Sequence, residues 1–288
     1  MRVHVLGVGR MGLPMAGHLK RGGCAVSVSD PEAERLRLAR AQELQVLEPE
    51  AGIAGADVVL SSLPHDAALR DVGCAVVRHG RRGLLFVDTS TVSLQASAHV
   101  AGLCAAAGVR HVRATVSGNN HMAEAAQLTV MASGPRDAYD AVLPLLRLFG
   151  PQQFWLGEGE QARLMKLVVN LMIVQTTAML GEALALGRKG GLAWDDLWRV
   201  LTASAVGSPI LKAKAQQLAA HDFTPTFTVE QMLKDVGLIV EAAAAAHVPI
   251  PQTAATQQML QAALAQGMGG EDYAAIIKTV ARAAGLEG

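Results

Sequence analysis

Residues 1–23 read MRVHVLGVGRMGLPMAGHLKRGG. Gly7, Gly9 and Gly12 fall in the spacing G-x-G-x-x-G, directly after the apolar run Arg2 to Leu6 and directly before a stretch of helical character from about Met11 to Lys20. That order of strand, glycine turn and helix is what gives the spacing meaning. The first glycine makes a tight turn, the second lets the backbone come close to a pyrophosphate, and the third lets helix and strand pack closely. The opening turn of the helix then offers free N–H groups and a partial positive charge to phosphates. Without this context the same glycines would be only a turn.

Working outward, the next strand, CAVSVSD, ends at Asp30, 23 positions after Gly7. A carboxylate at that distance accepts hydrogen bonds from the adenosine ribose and repels a 2′-phosphate, so NAD is the preferred cofactor. Glu32 and Glu34 add to the repulsion, whereas Arg10 in the glycine loop can neutralise a phosphate and keeps NADP open. Asp30 has a second reading, as the N-cap of a helix opening at Pro31.

The same alternation continues through the first half of the chain. VHVLGVG, CAVSVSD, ADVVLSSLP, GLLFVDTST, VRHVRATVSG and LTVMASG read as strands, with PEAERLRLARAQ and SLQASAHVAGLCAAAG as helices between them. Near-continuous apolar strands separated by helices predict a mostly parallel sheet covered on both faces. After about Gly159 the texture changes to Ala, Leu, Met and Gln without strand signals. A long helix is expected from about Ala162 to Lys189, stopped by Gly190 and Gly191, with further breaks at GSP, HDFTPTF and HVPIP. The expected fold class is therefore an α/β Rossmann-type dinucleotide-binding domain over residues 1–160 followed by an all-α domain over residues 161–288.

Bulk properties remove several function classes. The 288 residues are 51% hydrophobic and carry 25 Lys plus Arg against 25 Asp plus Glu, so no net charge draws the chain to nucleic acid or an anionic membrane. Aromatic residues at 3% give no base-stacking surface. The apolar segment from Leu164 to Gly187 is interrupted by Lys166, Asn170, Gln175 and Glu182, which reads as a helix buried in protein, not a membrane span. Cys24, Cys74 and Cys104 match neither a metal site nor a disulfide framework and are expected as reduced, buried thiols. The chain opens directly in a strand, with no export signal, and a cytoplasmic location is expected. The histidines show no metal-ligand spacing, and no metal is expected. His65, after SSLP, is the histidine nearest the cofactor edge. Trp194 and Trp198, four apart, are expected to pack one helix face.

The candidate chemistry lies in RLMKLVVNLM, where Lys166 and Asn170 are four apart on one helix face. Their neighbours are apolar around almost the full circumference, so the helix is expected to be largely buried. A lysine there either snorkels to water or is held for proton transfer, since desolvation lowers its pKa towards neutrality.

Together, VLGVGRMGLPMAGHL, SSLP, VDTST, VSGN, KLVVN and FTVEQMLKD, in this order along nearly the whole chain, resemble the β-hydroxyacid dehydrogenase family, which includes 3-hydroxyisobutyrate dehydrogenases and tartronate semialdehyde reductases. The resemblance implies hydride transfer between a nicotinamide cofactor and a small 3-hydroxy acid or its semialdehyde. It implies Lys166 as general acid/base and Asn170 as a substrate-holding residue. Ser117 and Gly118 would meet the substrate carboxylate, with the Asn119 amide beside them. Met11, Leu63, Pro64 and Thr91 would line the nucleotide, Lys234 would reach towards cofactor and substrate, and Asp235 is its motif neighbour. It also implies a homodimer or homotetramer built through the helical half.

The chain departs from the family pattern around the substrate. Where relatives commonly have Asp-Ala-Pro before VSGG, this sequence has Arg113 for the acid, Thr115 for the proline and Asn119 for the second glycine. Glu160 and Ala162 stand where glycines usually precede the lysine. Asn119, Asn120 and His121 either read a more polar substrate or form a solvated loop. Two other functions fit parts of the sequence: imine reduction on the same scaffold, which typically dispenses with the lysine, and dinucleotide sensing without catalysis.

Overall fold

Strand β1 (Arg2–Leu6) is buried at four of its five positions, and strands β4 (Val58–Ser61) and β5 (Leu85–Asp88) at every position. Strands apolar on both faces are stable only when both faces are covered, which places them at the centre of the sheet. The computed structural model describes residues 1–286. It consists of two compact units, residues 1–166 and the described residues from 167 on, and the division falls inside one long helix.

The first unit alternates strand and helix. β1 is followed by α1 (Gly12–Arg21), β2 (Ala25–Ser29), α2 (Ala33–Ala41), β3 (Gln45–Val46), α3 (Pro49–Gly55) and β4. Then come α4 (Asp66–His79), β5, α5 (Leu94–Ala107), β6 (Arg110–Ser117), α6 (Asn120–Glu124), β7 (Thr129–Ser133), α7 (Arg136–Leu146) and β8 (Gln152–Trp155). Among the described residues the sheet has eight strands in the order β3-β2-β1-β4-β5-β6-β7-β8. Every pairing is parallel except that of β6 with β7. The strand order reverses between β1 and β4, and at such a point the loops leaving the two strands diverge and open a crevice at the carboxyl edge. One core cluster includes Val5, Met15, Leu19, Val28 and Phe149, and a second includes Ile53, Leu69, Phe86 and Val100.

The second unit is helical. The long helix α8 (Gln161–Lys189) runs into it, followed by α9 (Trp194–Ala203), α10 (Pro209–Ala219), α11 (Val229–Ala245), α12 (Pro251–Ala265), a 3-10 turn (Tyr273–Ala275) and α13 (Ile276–Ala283). Its cores gather around Val174, Met232, Val236 and Leu260 and around Leu184, Trp198 and Leu218. Trp194 and Trp198 meet edge-on with centroids 5.6 Å apart, packing together as their spacing predicts.

Three expectations need correction. β3 and β8 were not foreseen; both lie at sheet edges, are short, and carry glutamines where central strands carry valines. Helix α8 is not largely buried: Leu167, Val174 and Leu184 face inward, but Leu164, Val168, Met172, Met179 and Leu186 are exposed and apolar. By length and composition alone α8 could cross a membrane, yet its inner stripe is committed to protein cores. Finally, all three cysteines are free, but only Cys104 is buried, where desolvation pushes its thiol up to about 12, while Cys74 is exposed.

Candidate active site

The glycine turn after β1 is built as its sequence predicts. Gly7 has φ +88°, and a Cβ there would lie 2.4 Å from the Ser62 carbonyl oxygen. At Gly12 a Cβ would lie 1.9 Å from the Gly7 carbonyl oxygen, so the first turn of α1 can rest on the loop only without a side chain. A Cβ at Gly9 would lie 2.5 Å from Arg35 Nη1. Met11 occupies the N-cap position of α1 and packs its side chain against the core, and Arg10 is exposed beside it. This backbone cradle, closed to side chains and open to a polar ligand, fits the pyrophosphate of a dinucleotide.

Asp30 is held at the same turn. Its Oδ2 accepts the Val8 N–H at 2.8 Å and its Oδ1 accepts the Glu32 N–H at 2.9 Å. The helix that follows begins at Ala33 with Glu32 as its N-cap, so the capping role considered for Asp30 is not realised. Arg35 pairs with Glu32 at 2.9 Å and lies 4.0 Å from Asp30. A cavity of about 820 Å³ adjoins the turn, lined in part by Gly9, Arg10, Lys20, Arg21, Arg35 and Leu38.

The loops after β4 and β5 form the other wall at the carboxyl edge of the sheet. Leu63 is half-buried and donates its N–H to Ser90 Oγ at 2.8 Å, next to Thr91, while Pro64 is exposed. His65 turns out to be a helix cap: its Nδ1 accepts the Ala68 N–H at 3.1 Å at the start of α4. Ser117 ends β6, and Gly118 follows with φ +137°. Asn119 caps α6, its Oδ1 accepting the Met122 N–H at 3.0 Å.

Beneath these loops is a buried network that the sequence reading missed. Asp88 and Arg163 are almost completely inaccessible, and Arg163 Nη2 donates to Asp88 Oδ2. Ser61 and Ser90 also donate to Asp88 Oδ1, at 2.5 and 2.6 Å. Arg163 completes its bonds to the Ser90 carbonyl at 2.5 Å and to Ser97 Oγ at 3.1 Å. The signal available was an arginine inside an apolar helix, which burial tolerates only with a partner. Three residues on, Lys166 is half-buried on α8. Beside the network, His111 stacks on Phe86 with centroids 5.0 Å apart; burial, then the charges of Arg113 and Arg163, hold its imidazole well below the usual histidine range.

In the second unit three of the expected residues come together. Asn170, one turn beyond Lys166 on α8, donates Nδ2 to Asp235 Oδ2 at 2.6 Å, and Lys234 Nζ is 2.7 Å from Asp235 Oδ1. Asp235 and Asn170 are buried and Lys234 is partly exposed. The carboxylate thus holds the amide by a hydrogen bond and lies in ion-pair range of the ammonium.

Comparison with known proteins agrees with this architecture. A family profile described as the NAD binding domain of 6-phosphogluconate dehydrogenase matches residues 2–157, and one described as NAD-binding of NADP-dependent 3-hydroxyisobutyrate dehydrogenase matches residues 160–280. The chain is 31% identical to 2-(hydroxymethyl)glutarate dehydrogenase of Eubacterium barkeri, covering 96% of this chain and 94% of that one. It is 30% identical to L-threonate dehydrogenase of Cupriavidus necator over 96% and 95%. Among solved structures, Mycobacterium tuberculosis 3-hydroxyisobutyrate dehydrogenase with L-serine superposes with a TM-score of 0.88 at 27% identity, covering 97% and 98%.

Proposed function

The chain belongs to the β-hydroxyacid dehydrogenase family of oxidoreductases, and we propose that it interconverts a small 3-hydroxy acid and the corresponding semialdehyde or ketone with Lys166 as general acid/base. One observation carries this reading. The first turn of α8 is locked through Arg163 to Asp88 and Ser90, so Lys166 is carried on a helix anchored at the carboxyl edge of the sheet, where ligands of such sheets bind.

A bound nicotinamide supplies the hydride acceptor in oxidation and the donor in reduction. The glycine turn at Gly7, Gly9 and Gly12 would hold the pyrophosphate, with Met11, Leu63, Pro64 and Thr91 along the nucleotide. Asp30, fixed by the Val8 N–H, would take the ribose hydroxyls and favour NAD. Arg10 and Arg35 at the same turn leave NADP as the alternative. Neutral Lys166 would accept the hydroxyl proton of the substrate, and its protonated form would return it in the reverse direction. Ser117 and Gly118 would meet the substrate carboxylate, while Asn170 and Lys234 would be oriented by Asp235.

A panel of hydroxyisobutyrate, serine, glycerate and threonate, followed by nicotinamide absorbance with NAD and NADP in parallel, tests the proposal. Turnover of at least one member with NAD favoured is expected. NADH binding without any turnover would return the reading to a nucleotide-sensing module, which the hydroxy-acid dehydrogenases among its relatives do not favour. We further infer self-association into a homodimer or homotetramer. Met172, Met179 and Leu186 recur every seven residues on α8 and are 62%, 60% and 77% exposed, an apolar stripe suited to a second copy. Light scattering should give a multiple of the 30.1 kDa chain mass, and a monomer would reject this part.

A further inference from the structure

Four of the positions at which the sequence departs from the pattern it resembles are joined in two pairs. Arg113 on β6 stands where the resembled pattern has an acid, and Glu160 just before α8 where it has a glycine; Arg113 Nη2 donates to Glu160 Oε1, with side chains only 6% and 17% exposed. Thr115 stands where that pattern has a proline, and Ala162 where it has a second glycine; Thr115 Oγ1 donates to the Ala162 carbonyl at 3.0 Å. Ala162 in turn donates its N–H to Ser133 Oγ on β7 at 3.2 Å, and Arg163 engages Asp88 at the end of β5. The turn that begins α8 is therefore tied to β5, β6 and β7 through residues 160, 162 and 163. All of these partners lie in the first unit.

Stability alone gives a poor account of the arrangement. A buried ion pair loses hydration on both sides, and an apolar pair of similar volume would commonly hold the turn as well. What an ion pair with directed hydrogen bonds adds is a defined angle and register. Glycines before a helix leave its first turn conformationally free, whereas Glu160 and Ala162 remove that freedom and anchor it. Lys166 lies on the helix four residues after Ala162 and three after Arg163, so any rotation of the first turn is passed to its side chain.

We propose that Arg113 with Glu160, and Thr115 with the Ala162 carbonyl, are positioning pairs that fix the first turn of α8 and thereby aim Lys166. This rests on the reading of Lys166 as general acid/base. The pairs touch neither cofactor nor substrate in this role; they act through the helix.

The test uses the full chain with Glu160→Gln, Arg113→Gln, the double variant, and Thr115→Val, which keeps shape and loses the hydroxyl. Lys166→Ala is made alongside. Two readouts are taken: kcat with its pH profile on a turned-over hydroxy acid, and the 13C resonance of Lys166 after reductive methylation, assigned by its absence in Lys166→Arg. Either single change in the ion pair should lower kcat by roughly 10- to 100-fold, the scale of a misplaced reacting group. NADH affinity should stay within about twofold, since the glycine turn is untouched, and the pH profile and the Lys166 resonance should move. The double variant should lose less than the product of the singles. Thr115→Val should move the Lys166 resonance in the same direction, and it carries the test if the charge variants fail to fold. An unmoved Lys166 resonance and unchanged kcat, with only the melting temperature lowered, would overturn the proposal. Full activity in Lys166→Ala would instead reject the acid/base reading and leave the resonance data to judge the pairs.

Discussion

Asp30 ties the loop together, and in the proposed function the same carboxylate would take the ribose hydroxyls. Its hydrogen bond from Val8, in the middle of the glycine spacing, ties the end of β2 to the turn after β1. Asp30→Ala should therefore reduce kcat/KM with NAD by roughly 10- to 100-fold, as expected for lost hydrogen bonds to a charged acceptor. It should also raise the NADP to NAD ratio, because the carboxylate that repels a 2′-phosphate is gone while Arg10 and Arg35 remain at the turn. Steady-state kinetics with both cofactors decides; an unchanged ratio would place the ribose elsewhere. At this scale the sequence was informative wherever the reason for a residue is local. Gly7, Gly12 and Asp30 are dictated by close approach within one strand-turn-helix unit, and their spacing displays it. The Arg163 and Asp88 pair spans 75 positions, and nothing in either neighbourhood names the other. Asp88 reads simply as the last residue of a strand.

At the level of elements, the buried pair makes the junction between the end of β5 and the start of α8 a point of high cost. Both side chains are at most 1% exposed, so Arg163→Ala would leave a carboxylate buried with only Ser61 and Ser90 as donors. A loss of about 3–5 kcal/mol is expected, the usual range for stranding one member of a buried pair. Denaturant unfolding at neutral pH measures it, and a change below about 1 kcal/mol would mean that the carboxylate finds another partner. The central strands and the helices between them were readable because burial on both faces forces continuous apolar runs. Edge strands escape that rule: β3 is two residues of Gln and Val, and β8 opens with two glutamines. The outer face of α8 was misread for a related reason. An apolar circumference says that water is unfavourable, and it does not say which molecule excludes it.

Over the whole molecule, two buried imidazoles give folding a dependence on pH. His4 is fully buried between Ser27 and Ser29, at 2.9 and 3.1 Å, and burial lowers it from 6.5 to about 4. His111 is shifted in the same direction by burial and two guanidiniums. Below pH 6.5 the unfolded chain takes up protons that the folded chain refuses, so stability is complete above that value and falls as the pH drops towards 4. Each unit of separation is worth ~1.4 kcal/mol per histidine. Asp57, lowered from 3.8 to about 2 by its bonds from Arg2, contributes only above the carboxylate range and is lost below it, so the window above 4 belongs to the histidines. Melting temperatures should decline steadily across that window and be flat above it; a flat profile throughout would show that neither imidazole stays neutral in the folded state.

The proposed role of Lys166 as proton-transfer group of a nicotinamide-dependent hydroxy-acid oxidoreductase is tested most directly by one comparison. Wild type and Lys166→Ala are loaded with NADH, binding is verified by fluorescence, and single-turnover reduction of a semialdehyde substrate is followed. The prediction is equal NADH affinity and a rate lowered by roughly 100- to 10,000-fold, the contribution typical of a positioned general acid. A variant that binds NADH and turns over at the wild-type rate would contradict the central claim.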